Sequence, residues 1–191
     1  LVPTPLLYFA LFKLEVGGGV MVTGSHNPPN ENGFKICLGT TTLYGKAIQG
    51  IKDIMKRCDF TSGEGTVTSA SLNEDYIAAI AQDLANRPGR GRRPVKVVVD
   101  AGNGTGNIVA TDLYTRMGHD VTGLYSEPDP EFPHHHPDPT VPANLEDLMN
   151  EVVRTGAEVG IAFDGDADRL GVVTSNRTIL WGDQLLILFA R

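Results

Sequence analysis

The chain has little cysteine, only Cys37 and Cys58 in 191 residues. Two thiols cannot make a disulfide framework, so the fold has to rest on a hydrophobic core, and buried free thiols in a reducing, cytoplasmic compartment are the expected state. No apolar run approaches the roughly 20 residues that span a bilayer, and the basic, apolar and small-residue regions of a signal peptide are missing, so no membrane role is expected. Positive charge is also scarce. Lys and Arg total 16 against 23 Asp and Glu, a net charge of -7, whereas a nucleic-acid footprint would be basic. An anionic small molecule is not excluded, because local charge outweighs the total. With 41% hydrophobic and 20% charged residues the composition is globular, and the length suits one or two domains. The chain begins without an initiator Met, and residues 185–190 form an apolar run in which a helix should still be in progress. It therefore reads as a fragment of a longer protein.

Thr4-Pro5 predicts an N-cap followed by proline at the first helical position. The helix runs over residues 6–14 and is stopped by residues 17–19, three glycines. Residues 20–23 read as a short buried strand, followed by a polar loop over 24–33 and a second strand over 34–38. A helix over 47–57 places Ile48, Ile51 and Met55 on one face. The Ser/Thr/Gly-rich stretch 61–70 is a linker, and Ser71 with Glu74 makes a capping box for the next helix. The loop 88–94 carries Arg90, Arg92 and Arg93, which read as a solvated turn. Strands then alternate with helices: strand 95–99, helix 108–117, strand 121–125, a helix carrying Leu145, Leu148, Met149, Val152 and Val153 and ended by Gly156, and strand 159–163. Strand 170–174 follows as a hairpin partner. The expected class is α/β, with mixed, mostly parallel sheets flanked by helices on both faces.

Two loops carry chemistry. Thr23-Gly24-Ser25-His26-Asn27-Pro28-Pro29 directly follows a strand, where ligand sites form in open α/β sheets. Ser25 is accessible there for covalent chemistry, and His26 and Lys35 are close enough in sequence to handle protons or bind phosphate. Composition alone also allows an ordinary Ser/Asn/Pro turn. The nucleophile elbow of hydrolases is excluded, since it requires Gly two residues after the serine. The second loop, Asp164-Gly165-Asp166-Ala167-Asp168-Arg169, also follows a strand. Three alternate carboxylates repel one another unless a cation joins them, and hard oxygen ligands suit Mg²⁺ or Ca²⁺. An EF-hand fails, because its sixth and twelfth positions hold Arg169 and Ser175 in place of Gly and Glu. A solvated acidic turn is the structural alternative.

Two weaker features are read as structural. Asp100-Ala101-Gly102-Asn103-Gly104-Thr105-Gly106 follows a strand like a phosphate cradle, yet Asn107 sits where a dinucleotide fingerprint needs its third Gly. His134-His135-His136 lies between prolines, and no further ligand set completes a metal site there.

Taken together, Thr23-Gly24-Ser25-His26-Asn27-Pro28 and Asp164-Gly165-Asp166-Ala167-Asp168-Arg169 resemble the phosphoserine and magnesium loops of the α-D-phosphohexomutases. Gly33-Phe34-Lys35-Ile36, Asp100-Ala101-Gly102-Asn103-Gly104 and His136-Pro137-Asp138-Pro139 fit as well, and the likeness covers essentially the whole chain. It is nearest to the bacterial phosphomannomutase/phosphoglucomutase branch. The resemblance implies four domains around a cleft. Residues 1–70 would be the later part of the first, 71–174 the second, and 175–191 the start of the third. It implies that Ser25 carries a phosphoryl group, that Asp164, Asp166 and Asp168 hold Mg²⁺, and that Ser25 reaches the ion through its phosphoryl oxygen. His26, Lys35 and Arg169 would serve catalysis, and Asn27, Lys35 and Arg169 would bind a phosphosugar. A hexose 1,6-bisphosphate activator and a monomer or weak dimer are implied. The sugar loop and the distal phosphate loop of the family lie in segments that this chain does not include, so the chain by itself is expected to be inactive. Phosphoglucosamine mutase activity, a phosphatase-like phosphotransferase and a non-catalytic sugar-phosphate-binding relative remain as alternatives.

Overall fold

A computed structural model describes residues 1–28, 30–87 and 93–190. Pro29, Arg191 and most of the predicted basic turn at 88–94 lie outside the described residues. Arg93 lies within them and donates to Glu158 Oε1 at 2.7 Å.

The first unit pairs helix α1 (Thr4–Lys13) with a small antiparallel sheet of β1 (Gly18–Thr23), β2 (Gly33–Leu38) and β3 (Thr41–Thr42), in the order β1-β2-β3. Leu7 and Leu11 of α1 pack on Cys37 and Met21 and cover one face of this sheet. Val20 and Val22 point away from that core and are each 59% exposed. The expected buried strand is thus half-buried, because side chains alternate along a strand and α1 covers one face only. Helix α2 (Lys46–Arg57) has the expected apolar face but no buried residue. The thiols divide: Cys37 is buried, whereas Cys58, in the left-handed position that ends α2, is exposed. The expectation of two buried thiols fails at Cys58, which sits at a helix end with nothing packed over it.

Residues 59–72 carry no regular structure, in line with a linker. Helix α3 (Asn73–Asn86) follows, without the expected capping box. Glu74 is drawn instead to the Arg116 guanidinium, whose two nitrogens donate to it at 2.5 and 2.7 Å. A bidentate charged pair outcompetes a single bond to a backbone N–H.

The second sheet contains β4 (Lys96–Asp100), β5 (Asp120–Leu124), β6 (Val159–Phe163), β7 (Leu170–Thr174) and β8 (Ile179–Leu180), ordered β5-β4-β6-β7-β8. β4 is parallel to both β5 and β6, and β6, β7 and β8 are antiparallel. The sheets are mixed as expected but not mostly parallel: among the described strands four of six pairings are antiparallel, because hairpin connections join β1 to β2, β2 to β3, β6 to β7 and β7 to β8. The predicted hairpin is therefore present, and it brings the Asp164–Arg169 loop to the carboxyl end of β6. Alternation along β4 splits the core in two. Val98 points to helix α5 (Glu146–Thr155) and its Leu148, Met149 and Val152, while Val97 and Val99 point to Ala110 and Tyr114 of helix α4 (Ala110–Arg116). The helix expected over 108–117 begins as a tight turn at Gly106–Ile108 and becomes α-helical at Ala110. Helix α5 ends on Gly156 as its left-handed cap, as expected. The apolar run near the end of the chain is helix α6 (Gly182–Phe189).

The two units meet through α1. Its Leu6 joins Ile77 of α3 and Val109 and Leu113 around α4 in one cluster. This contact holds the amino end of α1 against the Asp164–Arg169 loop.

Candidate active site

Thr4 was expected to cap α1, but Pro3 takes the cap position and Thr4 is the first helical residue. Its side chain is fully buried, and its hydroxyl donates to Asp166 Oδ2 at 2.7 Å. A hydroxyl that donates to a carboxylate makes a stronger bond than one that accepts from a neutral backbone N–H, and the fold delivers the carboxylate there.

β1 carries the chain into the serine loop. Ser25 adopts a left-handed φ of 52°, a conformation rare for a residue with a side chain and common where a group must be presented. Its N–H donates to Thr23 Oγ1 at 2.8 Å, which holds the turn. Asn27 N–H donates to Gly24 O at 2.8 Å and closes it, with the Asn27 side chain exposed. Ser25 Oγ donates to Asp164 Oδ2 at 2.9 Å. The two loops predicted separately thus form one site, although they lie 139 residues apart in the chain.

Backbone contact enforces the meeting. A Cβ on Gly165 would fall 2.2 Å from the carbonyl oxygen of Ser25, so only glycine allows this approach. Behind it, Thr105 donates its N–H and its hydroxyl to Gly165 O, at 2.9 and 3.2 Å. Gly104 lies so close that an added Cβ would be 2.7 Å from the same oxygen. The glycine-rich turn after β4 is therefore a buttress for the acidic loop. The histidine run fastens neighbouring loops: His134 Nδ1 to Asn103 Oδ1 at 2.7 Å, His135 Nε2 to Asp100 Oδ2 at 3.0 Å, and His136 Nε2 to His26 O at 2.6 Å. None of the three joins a metal-type cluster among the described residues.

The three aspartates do form such a cluster, with one oxygen of each within 4.8 Å of the others. Asp164 is fully buried and Asp166 nearly so. Burial, together with the charges of Asp166 and Asp168, pushes the Asp164 carboxyl up, against bonds from Arg169 N–H and Ser25. Burial also acts to raise Asp166, but Lys35 and Thr4 outweigh it and hold Asp166 low. Lys35 Nζ lies 2.7 Å from Asp166 Oδ2 and 2.5 Å from Asp168 Oδ2. Burial alone would lower the Lys35 ammonium; the two aspartates raise it. Asp166 Oδ1 is buried without a hydrogen-bond partner among the described residues. An orphaned carboxylate oxygen inside a carboxylate cluster fits a hard cation.

Arg169 Nη1 lies 3.2 Å from His26 Nε2. A guanidinium can only donate, so Nε2 accepts and the His26 proton is on Nδ1. That nitrogen is 3.2 Å from Ser25 Oγ. Toward the serine His26 is therefore a donor, and Asp164 is the acceptor. A cavity of about 480 Å³ touches Ser25, Asn27, Gly165 and Asp166. Lys35, Arg169 and Asp164 do not line it.

All eight residues singled out from the sequence lie in or beside this site. Sequence reasoning missed Thr4, Gly165 as a contact point, Thr105 and His136. Thr4 gave a signal, but a cap was the nearer explanation.

Two family models cover most of the chain: phosphoglucomutase/phosphomannomutase alpha/beta/alpha domain I at residues 1–62, and domain II at residues 74–177. The chain belongs to the phosphoglucomutase/phosphomannomutase family. It is 46% identical over 191 residues to the phosphomannomutase/phosphoglucomutase of Pseudomonas aeruginosa, matching 100% of this chain and 40% of the relative. It is also 46% identical to the phosphoglucomutase of Neisseria meningitidis, matching 100% of this chain and 41% of that one. A crystal structure of a phosphoglucomutase/phosphomannomutase family protein from Burkholderia thailandensis superposes with a TM-score of 0.92 at 41% identity, over 100% of this chain and 42% of the other. The chain thus spans about 40% of the length of the curated relatives it matches.

The His135–Asp100 contact fixes the family chain's loop after β4 and predicts a pH effect. His135 has an acceptor at each ring nitrogen, Asp100 Oδ2 and His136 O. Burial acts to lower its pKa, but Asp100 outweighs burial and the pKa is raised from 6.5. A raised folded value stabilises the protein fully below the unfolded value, and the gain is lost as pH rises through the folded one. The melting-temperature gap between wild type and His135→Gln should be widest near about pH 6 and shrink toward about pH 9. A gap that widens with pH would contradict the ion pair.

Proposed function

We propose that the protein carrying this chain is a phosphohexomutase that interconverts hexose 1-phosphate and hexose 6-phosphate, of mannose or glucose, through a phosphoserine at Ser25 and a bisphosphorylated sugar. The observation that carries the reading is the bond from Ser25 Oγ to Asp164 Oδ2 at 2.9 Å, which joins a nucleophile to a carboxylate cluster. Asp164, Asp166 and Asp168 would hold Mg²⁺, which when bound offsets charge on the transferring phosphoryl group. Ser25 would reach that ion through a phosphoryl oxygen. Positioning and charge are most of what a protein contributes to this chemistry.

The remaining residues take roles that their geometry supports. Arg169 and Lys35 are cations beside an acidic loop, and they correct the local balance toward an anionic phosphosugar. The raised pKa of Lys35 suits a phosphate ligand better than a base. His26, with Nδ1–H toward Ser25 Oγ, is placed to give a proton to the serine oxygen as the phosphoryl group leaves. Asn27, exposed on the same loop, is a further substrate contact. Residues 1–70, 71–174 and 175–191 are assigned to successive domains of the whole enzyme, which is expected to be a cytoplasmic monomer or weak dimer. No described helix is long and apolar enough to cross a membrane.

The test is a coupled assay on the full-length protein with mannose 1-phosphate and glucose 1-phosphate, with and without hexose 1,6-bisphosphate and Mg²⁺. A mutase should need both additions and release little free phosphate. Continuous phosphate release would favour a phosphatase-like activity, and binding without turnover would favour a non-catalytic relative.

A further inference from the structure

The hydrogen bonds to the Asp166 carboxylate are uneven. Oδ2 accepts from Thr4 Oγ1 at 2.7 Å, from Lys35 Nζ at 2.7 Å and from Thr23 Oγ1 at 3.1 Å. Oδ1 is buried and accepts nothing from the described residues. All three donors come from the first unit, from α1, β1 and β2, while Asp166 belongs to the loop after β6. One oxygen is therefore saturated from across the junction, and the other is left for a cation.

Thr4 makes a second bond to the same residue. Its N–H donates to Asp166 O at 2.8 Å. The first N–H groups of a helix have no partner inside it, so this donor is available by construction. Pro5, next in the helix, has no N–H to compete. Lys35 Nζ also lies 3.4 Å from Thr4 Oγ1, so the threonine oxygen can accept from the lysine while its proton goes to the carboxylate. Thr4 is fully buried and Asp166 is 3% exposed, so water does not readily replace the hydroxyl. Of the three donors, Thr4 comes from a helix and bonds both the backbone and the carboxylate of Asp166, whereas Lys35 and Thr23 come from strands and reach its carboxylate.

We infer that Thr4 is a positioning residue for the metal site: it holds Asp166 by backbone and carboxylate together, so that Oδ1 stays free for the cation. The inference rests on the reading of the aspartate cluster as a Mg²⁺ site. Groups that orient a metal ligand commonly change affinity by about 10–100-fold when removed.

The experiment is a calorimetric titration of Mg²⁺ into the full-length protein, free of phosphoryl groups, as wild type, Thr4→Val and Thr4→Ser. Valine keeps the shape and loses the hydroxyl; serine keeps the hydroxyl. The valine variant should bind Mg²⁺ about tenfold more weakly or worse, and the serine variant should bind within about threefold of wild type. Thermal melts without metal run alongside. If Thr4 only pins α1 to the loop, the valine variant melts lower but binds Mg²⁺ as wild type does, and the inference is overturned. If valine prevents folding, Thr4→Ala is read in the same titration against the same criterion. A wild-type protein that takes up no Mg²⁺ would overturn both this inference and the metal reading beneath it; wild-type binding with an unaltered valine variant would overturn this inference alone.

Discussion

Replacing Ser25 by alanine is expected to lower mutase turnover of the full-length protein by about three orders of magnitude or more, because the step loses its nucleophile altogether. The fold should tolerate the change. Ser25 N–H still donates to Thr23 Oγ1, which holds the turn without the side chain. Asp164 Oδ1 still accepts the N–H groups of Asp168 and Arg169, each at 3.0 Å. Only Oδ2 loses a donor, a loss of roughly 1.5–3 kcal/mol for a bond to a charged group. Incubation with hexose 1,6-bisphosphate followed by peptide mass spectrometry should place a phosphoryl group on Ser25 in the wild type and none in the variant. A label on another residue of active enzyme, or near-normal turnover of Ser25→Ala, would end the assignment.

The second large effect is expected from a single methyl group. Gly165→Ala puts a Cβ 2.2 Å from Ser25 O, where ordinary contact begins at 3.4 Å. One loop has to retreat by about 1 Å, and displacement on that scale at a reacting group costs on the order of a hundredfold in rate. The acidic loop has little room to yield, since Gly165 O is held by Thr105 and packed against Gly104. The serine loop would move, and with it the Ser25 Oγ to Asp164 bond. Turnover and phosphoryl labelling should fall together, while circular dichroism shows the sheets intact. Gly63→Ala is the control, because nothing lies within 4 Å of its added Cβ and it should behave as wild type. Full activity in Gly165→Ala would mean that the two loops are not interlocked as described.

Both effects arise at the junction of two segments that the sequence presents separately. Each segment was legible alone. Hydrophobic runs in the strands and apolar stripes in the helices are local signals, so β6 and β7 could be placed residue for residue and α5 could be ended at Gly156. Chemistry could be located for the same reason. A serine after a strand and three alternate aspartates after another strand are patterns in consecutive residues, and their residue types restrict what they can do.

Caps and partners were less legible, because they depend on which acceptor comes nearest in space. Thr4 and Glu74 both carry the signature of a helix start. In the fold, Thr4 meets Asp166 and Glu74 meets Arg116, and a charged partner prevails over a helix end. Likewise the histidine run and the glycine turn after β4 read as structural from the sequence, but the partners they fasten are supplied only by the fold. By itself the sequence determined the α/β class, the order of its elements and the two reactive loops, since these follow from periodicity and residue chemistry over short spans. Only the tertiary structure decided that Ser25 lies on Asp164, that Gly165 must lack a side chain, that His26 faces the serine as a donor, and that Thr4 grips Asp166. These depend on distances between residues up to 162 positions apart, which no local pattern encodes.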